Sequence, residues 1–129
     1  DAVRESLGRL FWNWGIPTAV SVVESNVSKD MPVIATGGIR SGLDAAKAIA
    51  LGASLCGVAL PLLKPALKGE KAVVEKLGLM IEELRVAMFL SGSASAGDLR
   101  KAELVITGRT AEFLEKRGFD IKQYSRGRS

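Results

Sequence analysis

Residues 32–60, PVIATGGIRSGLDAAKAIALGASLCGVAL, decide the fold of this chain. The stretch begins with PVIAT, a short run rich in apolar and β-branched residues, which predicts a strand buried on both faces. Gly37 and Gly38 follow at once, where the backbone can turn sharply and approach a ligand without a Cβ in the way. The sequence therefore predicts a buried strand that ends in a glycine turn.

A helix and a second strand follow the two glycines. Ser41 and Asp44 have the spacing of a capping box, which predicts the start of the helix. Gly52 stands where a helix ends, and residues 53–60 are predicted to be a second buried strand that Pro61 stops. Two parallel strands joined by a helix form one βαβ unit of an α/β fold, with both strand ends at the same edge.

The turn between the first strand and the helix is a predicted anion site. Residues 37–41 place several backbone N–H groups at a helix N-terminus, where oriented amides and the helix dipole both favour a phosphate. An ordinary βα turn that needs glycine only for its geometry explains the residues equally well. Arg40 has two interpretations, a guanidinium that binds phosphate or an ion pair with Asp44.

The composition limits the chemistry. With 129 residues, 47% of them hydrophobic, the chain can bury the core of one domain. It has no histidine and one cysteine, which argues against catalytic triads, zinc sites and an internal disulfide, and fits a reducing cytoplasm. No apolar run approaches a membrane span. The formal charge is +4, and the basic tail over residues 122–129 is interpreted as a solvated end and not as a nucleic-acid arm.

The flanking segments continue an alternation of strands and helices. Residues 18–23, TAVSVV, are predicted to be a third strand, and residues 104–107 are ambiguous between a strand and an apolar plug. Helices are predicted over residues 2–14, 62–68, 70–90 and 110–117. Three parallel strands are too few to close a barrel and leave unpaired edges. We therefore expect this chain to be a piece of a longer protein.

The stretch over residues 36–53, TGGIRSGLDAAKAIALGA, resembles the phosphate loop and following helix of strand 7 in FMN-dependent (β/α)8 barrels. Such barrels hold a phosphate with the loops after strands 7 and 8. Three flanking segments are similar to type 2 isopentenyl-diphosphate isomerases: WNWGIPTAVS at residues 12–21, GVALPLLK at 57–64, and MFLSGS with DLRK within 88–101. The resemblance covers nearly the whole chain.

The resemblance implies that residues 1–129 are the C-terminal part of one FMN-binding TIM (β/α)8 barrel. It implies isomerisation of isopentenyl diphosphate to dimethylallyl diphosphate in isoprenoid biosynthesis, with FMN, NADPH and Mg²⁺, the last two bound mainly outside this chain. The family's catalytic residues lie upstream, so the chain supplies no catalytic or metal-binding residue and is expected to be inactive alone. A homo-oligomer, tetramer or larger, is implied, with the rest of the barrel as a partner and no nucleic-acid or membrane partner.

The resemblance also carries over the contacts to the phosphate of FMN. These are Gly38, Ile39 and Arg40 after the first strand, and Ala59 and Leu60 after the second. In both places backbone N–H groups would meet the phosphate, and the small side chain of Ala59 would let it come close. Plain turn geometry at the first place and strand-end packing at the second are the alternatives.

Two other functions stay open. An FMN-dependent 2-hydroxy-acid-type oxidoreductase shares the phosphate loop, but such enzymes place a catalytic His-Arg pair before that loop, and this chain has no histidine. A non-catalytic half-barrel that binds phosphate would instead melt cooperatively and bind its ligand alone.

Overall fold

The computed structural model describes residues 1–27 and 31–126. The elements, in chain order, are α1 (Ala2–Leu10), α2 (Thr18–Ser25), β1 (Ile34–Ala35), α3 (Gly42–Ala50), β2 (Leu55–Cys56), α4 (Leu60–Lys68), α5 (Glu70–Leu90), α6 (Ala96–Leu99), α7 (Gly108–Lys116) and a 3-10 helix over Ile121–Arg126. The predicted βαβ unit is present as β1, α3 and β2. Helices dominate the rest.

The sheet positions the rest of the molecule. β1 and β2 run parallel, with Ile34 opposite Leu55 and Ala35 opposite Cys56. In the described part of the chain the sheet has these two strands and no others. Because parallel strands end at one edge, the segments that follow β1 and β2 leave the sheet on the same side.

The prediction of a strand over residues 18–23 is wrong, because this segment belongs to helix α2. Val20, Val22 and Val23 of α2 are all buried, and a run of six residues with four apolar ones is too short for its periodicity to distinguish a helix from a buried strand. At its C-terminal end, Glu24 forms an ion pair with Arg117, the residue that caps α7. This pair ties α2 to α7.

The second strand is shorter than predicted. Of residues 53–60, only Leu55 and Cys56 pair with β1, and Leu60 already begins α4. Pro61 does not stop a strand but lies in the first turn of α4, where a residue without an N–H group is tolerated. The segment between β2 and α4 is therefore a loop, residues 57–59, which we call the second loop.

The long helix α5 spans the predicted residues 70–90 and packs against α3 and α4. Its contact with α3 is very close at Gly42, where an added Cβ would lie 2.1 Å from the carbonyl oxygen of Met80. No side chain longer than hydrogen fits there, so the glycine sets the distance between the two helices.

Two hydrophobic clusters form the core. The larger one joins α2, β1, α7 and the 3-10 helix through Val20, Ala35, Leu114 and Tyr124, among others. The smaller one joins α3 to α6 through Ala46, Ile49, Ala50 and Leu99. Helix α1 contributes no buried residue to either cluster.

The C-terminal end of the chain packs against the core. Residues 127–129 of the predicted basic tail lie outside the described residues. The part before them is not the solvated end that was expected, because Tyr124 is buried and its carbonyl accepts a hydrogen bond of 2.8 Å from the Leu104 amide. No described helix combines the length and the apolar character that a bilayer crossing requires.

Candidate phosphate-binding site

The segment after β1, residues 36–41, is the centre of the candidate site, and we call it the glycine loop. Gly37 and Gly38 have φ angles of 91° and 77°, in the left-handed region that residues with a Cβ rarely adopt. The prediction that the two glycines form a sharp turn between β1 and α3 is therefore confirmed. Both glycines are exposed, whereas the side chain of Ile39 is buried in the core.

The glycine loop is tied to helix α2. The hydroxyl of Thr18 donates a hydrogen bond of 2.9 Å to the carbonyl oxygen of Gly37. Thr18 is the first residue of α2, so the start of that helix lies beside the loop.

The Asp44 carboxylate holds the other end of the loop. Its Oδ2 atom accepts hydrogen bonds from the Arg40 amide at 3.1 Å, the Ser41 amide at 3.1 Å and the Ser41 hydroxyl at 2.9 Å. The Ser41 hydroxyl accepts in turn from the Asp44 amide at 3.1 Å, which confirms the predicted capping box. Burial acts to raise the pKa of Asp44, but these hydrogen bonds and the charge of Lys47 outweigh it and hold the pKa below its ordinary value.

A second carboxylate comes from helix α5. Oε2 of Glu83 accepts a hydrogen bond of 2.6 Å from the Gly42 amide, the first N–H group of α3. This contact joins residues 41 positions apart, and no local pattern predicts it. The short distance and the negative charge at a helix N-terminus make it a favourable contact.

These contacts decide which backbone N–H groups remain for a ligand. The Arg40 amide was expected to be free for a phosphate, but it donates to the Asp44 carboxylate. Among residues 1–27 and 31–126, the amides of Gly38 and Ile39 donate to no other group. The glycine loop therefore presents adjacent donors upstream of the helix cap, and the Gly37 amide likewise has no acceptor among the described residues.

The contacts of Asp44 also distinguish between the two interpretations of Arg40. Within the described ranges its guanidinium pairs with no carboxylate, because Asp44 is engaged in capping α3. Of the two interpretations, the ion pair between Arg40 and Asp44 is therefore absent from the described residues. The exposed guanidinium stays beside the loop as a positive group.

The second loop lies at the end of the neighbouring strand. Ala59 is the residue before α4 and has no side-chain hydrogen bond to cap that helix, and Leu60 is its first residue. Neither amide donates to another described residue, and both residues are exposed. Since β1 and β2 are parallel, these two donors lie at the same carboxyl end of the strands as the glycine loop.

An open cleft of about 280 Å³ lies between β1 and the start of α2. Its lining comes from the start of α2 and from the strand, and includes Thr18, Val22, Ile34 and Ala35. On the sheet itself, Ile34 and Leu55 lie opposite each other and are 60% and 62% exposed. The sheet thus has an uncovered edge and an uncovered apolar face.

The other reactive groups do not form a site. No cluster of three or more His, Cys, Asp or Glu residues that could hold a metal ion is present in the described ranges. Cys56 is half-buried, its thiol lies 3.7 Å from the Ala45 carbonyl, and burial raises its pKa. A raised pKa disfavours the thiolate, the reactive form of cysteine.

Most of the chain is similar to known proteins. The profile of the family described as FMN-dependent dehydrogenase matches residues 16–106. This range contains the glycine loop, both strands and the second loop.

Nearly the whole chain is similar to isopentenyl-diphosphate delta-isomerases. The one from Methanosarcina barkeri is 54% identical over 125 residues, which is 97% of this chain and 34% of that protein. The one from Thermococcus kodakarensis is 51% identical over 129 residues, 99% of this chain and 34% of that protein. The chain therefore spans about a third of the length of the curated relatives it matches.

Solved structures of mandelate oxidase share the fold. One, with 3,3-difluoro-2-hydroxy-3-phenylpropionic acid, is 36% identical with a TM-score of 0.68 over 74% of this chain and 30% of its own. Another, with a monooxide FMN adduct, is 37% identical with a TM-score of 0.68 over 74% and 31%. The family match and these structures imply a TIM-barrel-type fold, of which the described residues provide two parallel strands.

Proposed function

The chain belongs to the FMN-dependent dehydrogenase family, and we propose that it is the C-terminal third of a longer polypeptide that isomerises isopentenyl diphosphate to dimethylallyl diphosphate. The observation that carries this proposal is 54% identity to an isopentenyl-diphosphate delta-isomerase over 97% of the chain. The alternative, a 2-hydroxy-acid oxidoreductase, has weaker support, because the mandelate oxidase structures reach 36–40% identity over 64–74% of the chain. Residues 1–129 would form one part of a single barrel domain.

The role proposed for this chain is to hold the phosphate of FMN. The amides of Gly38 and Ile39, which donate to no other described group, fit a phosphate that approaches over two residues without a Cβ at the turn. Ala59 and Leu60 would donate from the neighbouring strand end, and the guanidinium of Arg40 would supply positive charge. When bound, reduced FMN supplies the acid/base chemistry of the isomerisation.

The rest of the polypeptide would complete the barrel on this chain. The cleft beside β1 and the exposed pair Ile34 and Leu55 are surfaces that a closed barrel buries. The relatives are about three times longer than this chain, and their additional residues are enough to form the remaining strands.

The remaining proposals concern the other ligands, the location and the assembly of the full-length polypeptide. We place the binding of NADPH, Mg²⁺ and the diphosphate substrate mainly in the upstream part, and with it the catalytic residues. The polypeptide would act in the cytoplasm, where Cys56, the single cysteine of this 129-residue chain, stays reduced. A homo-oligomer of four or more subunits is proposed, and the exposed indoles of Trp12 and Trp14, each 83% exposed, support a contact surface.

The activity test uses the full-length polypeptide that contains these residues. We expect a flavin absorption band after purification and conversion of isopentenyl diphosphate in the presence of NADPH and Mg²⁺. Oxidation of mandelate without isomerase activity would overturn the assignment in favour of the oxidoreductase. The 129-residue chain alone is expected to show no isomerase activity.

The phosphate site has its own test, in which Ala59→Asp is compared with Ala66→Asp. Both variants add one negative charge to the same chain region, but residue 66 is about 10 Å further along α4. Charge repulsion at residue 59 is expected to weaken FMN binding about tenfold or more, whereas Ala66→Asp binds FMN like the wild type. Equal FMN affinity in both variants would contradict the site.

A further inference from the structure

The Thr18 hydroxyl makes a contact with the glycine loop that neither the capping of α3 nor the core requires. It donates to the Gly37 carbonyl from a different helix, 19 residues earlier in the chain. In addition, the same oxygen lies closest to the places where a Cβ would stand on Gly37 and Gly38, at 3.6 and 4.0 Å. The hydroxyl therefore faces the part of the loop that carries the free Gly38 donor.

The bond acts on that donor through the geometry of one peptide unit. The Gly37 carbonyl and the Gly38 N–H belong to the same planar group. No cis peptide bond occurs in the described ranges, so the two groups point in opposite directions. A hydrogen bond that directs the carbonyl toward Thr18 therefore directs the Gly38 N–H away from α2.

The loop's own backbone does not fix this orientation. The peptide unit lies between two glycines, and glycine adopts positive and negative φ about equally well. A half-turn of the unit would change φ of Gly38 from 77° to a negative value without any Cβ clash. It would also turn a carbonyl oxygen to the place where the amide now points, and a carbonyl repels a phosphate.

We propose that Thr18 is a positioning residue for the phosphate of FMN, which acts by holding the Gly37–Gly38 peptide in the orientation that presents the Gly38 N–H. The inference rests on the proposed function, because it takes the ligand of the glycine loop to be the phosphate of FMN. It adds a residue from helix α2 that acts through the backbone of the glycine loop.

The test compares FMN with riboflavin, which has the same ring system but lacks the phosphate. Both are titrated into the full-length apoprotein, and the dissociation constants are measured by flavin fluorescence. Thr18→Val keeps the side-chain shape and removes the hydroxyl, Thr18→Ala removes it without a branched side chain, and Thr18→Ser keeps it. Loss of one hydrogen bond is expected to weaken FMN binding about three- to tenfold in the two variants without a hydroxyl.

The preference for FMN over riboflavin separates positioning from a general structural effect. We expect riboflavin affinity to stay within about twofold of the wild type, and Thr18→Ser to retain the wild-type preference. If both hydroxyl-free variants keep the wild-type preference, or lose both flavins in equal proportion, the inference is overturned. If the wild type itself shows no preference for FMN, the proposed phosphate site fails instead, so the two failures are distinguishable.

Discussion

Residues 36–41 and residues 57–59 leave the same edge of the sheet, but they are held in place differently. The glycine loop receives side-chain hydrogen bonds from three elements: Thr18 of α2, Asp44 of α3 and, at the adjacent Gly42, Glu83 of α5. The second loop has no side-chain cap where it enters α4. A backbone bond of 2.9 Å from the Leu62 amide to the Ala59 carbonyl closes that turn.

The difference indicates where the binding geometry is built. A loop held by Thr18 and Asp44, and anchored at the next residue by Glu83, keeps its shape without a ligand, which lowers the entropy lost on binding. A loop closed only by backbone contacts gains more order when a ligand binds. Changes around the glycine loop should therefore reduce the stability of the folded protein, whereas changes in the second loop should act chiefly on the ligand.

The largest effect is expected for Gly42→Ala, which would break the packing that holds the glycine loop. The new Cβ would lie 2.1 Å from the Met80 carbonyl and 2.4 Å from the Leu84 amide, both backbone atoms of α5 that cannot move aside cheaply. We expect a loss of about 3 kcal/mol in the free energy of unfolding, measured by denaturant titration of the full-length polypeptide.

Gly78→Ala is the matched control, because it makes the same substitution within α5. No atom lies within 4 Å of the Cβ that would be added there. Alanine should then stabilise the helix by about 0.5–1 kcal/mol. Similar losses in both variants would show that α3 and α5 do not meet at Gly42.

The next effect is expected for Glu83→Ala, which removes the carboxylate that accepts from the Gly42 amide at 2.6 Å. An unpaired amide at a part-buried helix start should cost about 1–2 kcal/mol of unfolding free energy. Glu82→Ala is the control: its carboxylate is exposed and pairs with Arg85 on the same helix, so the loss should be about 0.5 kcal/mol or less. Equal losses would mean that Glu83 acts only as a surface charge.

Local sequence signals predicted the centre of the fold well. The two glycines, the capping box and the long helix over residues 70–90 all depend on contacts within a few residues, and all are confirmed. The first strand is present but covers only Ile34–Ala35, and its predicted burial on both faces is wrong, because Ile34 is 60% exposed. The error over residues 18–23 has a tertiary cause. Four of those six residues are apolar, and the helix period becomes visible only when the buried contacts of Val20 and Val23 with the core are known.

The candidate site shows the same limit. Sequence reasoning found the glycine loop and the residues at both strand ends, but it missed Thr18 and Glu83 and the occupied amide of Arg40. Thr18 and Glu83 reach the loop from 19 and 41 residues away, and such separations leave no periodic signal. One local signal was available for Arg40, because the Asp44 of a capping box commonly accepts from the backbone just before the helix.

A smaller, pH-dependent effect is expected at Asp44, since its pKa is held below the ordinary value when the protein is folded. A lowered pKa adds stability above the unfolded-state pKa of about 4, and this stability is lost as the pH falls through the lower folded-state pKa. Asp44→Asn should therefore cost about 1 kcal/mol at pH 7, and the gap to the wild type should close below about pH 4. Thermal melts across pH 3–7 measure this gap.

Glu75→Gln provides the reference for Asp44→Asn. Glu75 is exposed on α5, and its substitution should leave the melting temperature nearly unchanged at every pH. A constant gap between Asp44→Asn and the wild type down to pH 3 would show that the hydrogen-bond geometry, and not the charge, stabilises the start of α3.

The smallest effect on stability is expected in the second loop, for Ala59→Ser. Serine at this position can cap α4, which now has no side-chain cap, and should add about 0.5 kcal/mol of unfolding free energy. The same hydroxyl occupies space that the proposed phosphate needs, so FMN should bind a few-fold more weakly although the protein is more stable. Ala66→Ser, inside α4, should slightly destabilise the helix and leave FMN binding unchanged. If Ala59→Ser raises stability but lowers FMN affinity, the second loop differs from the glycine loop, where substitutions should lower both. If Ala59→Ser lowers both stability and FMN affinity, the two loops are held in the same way.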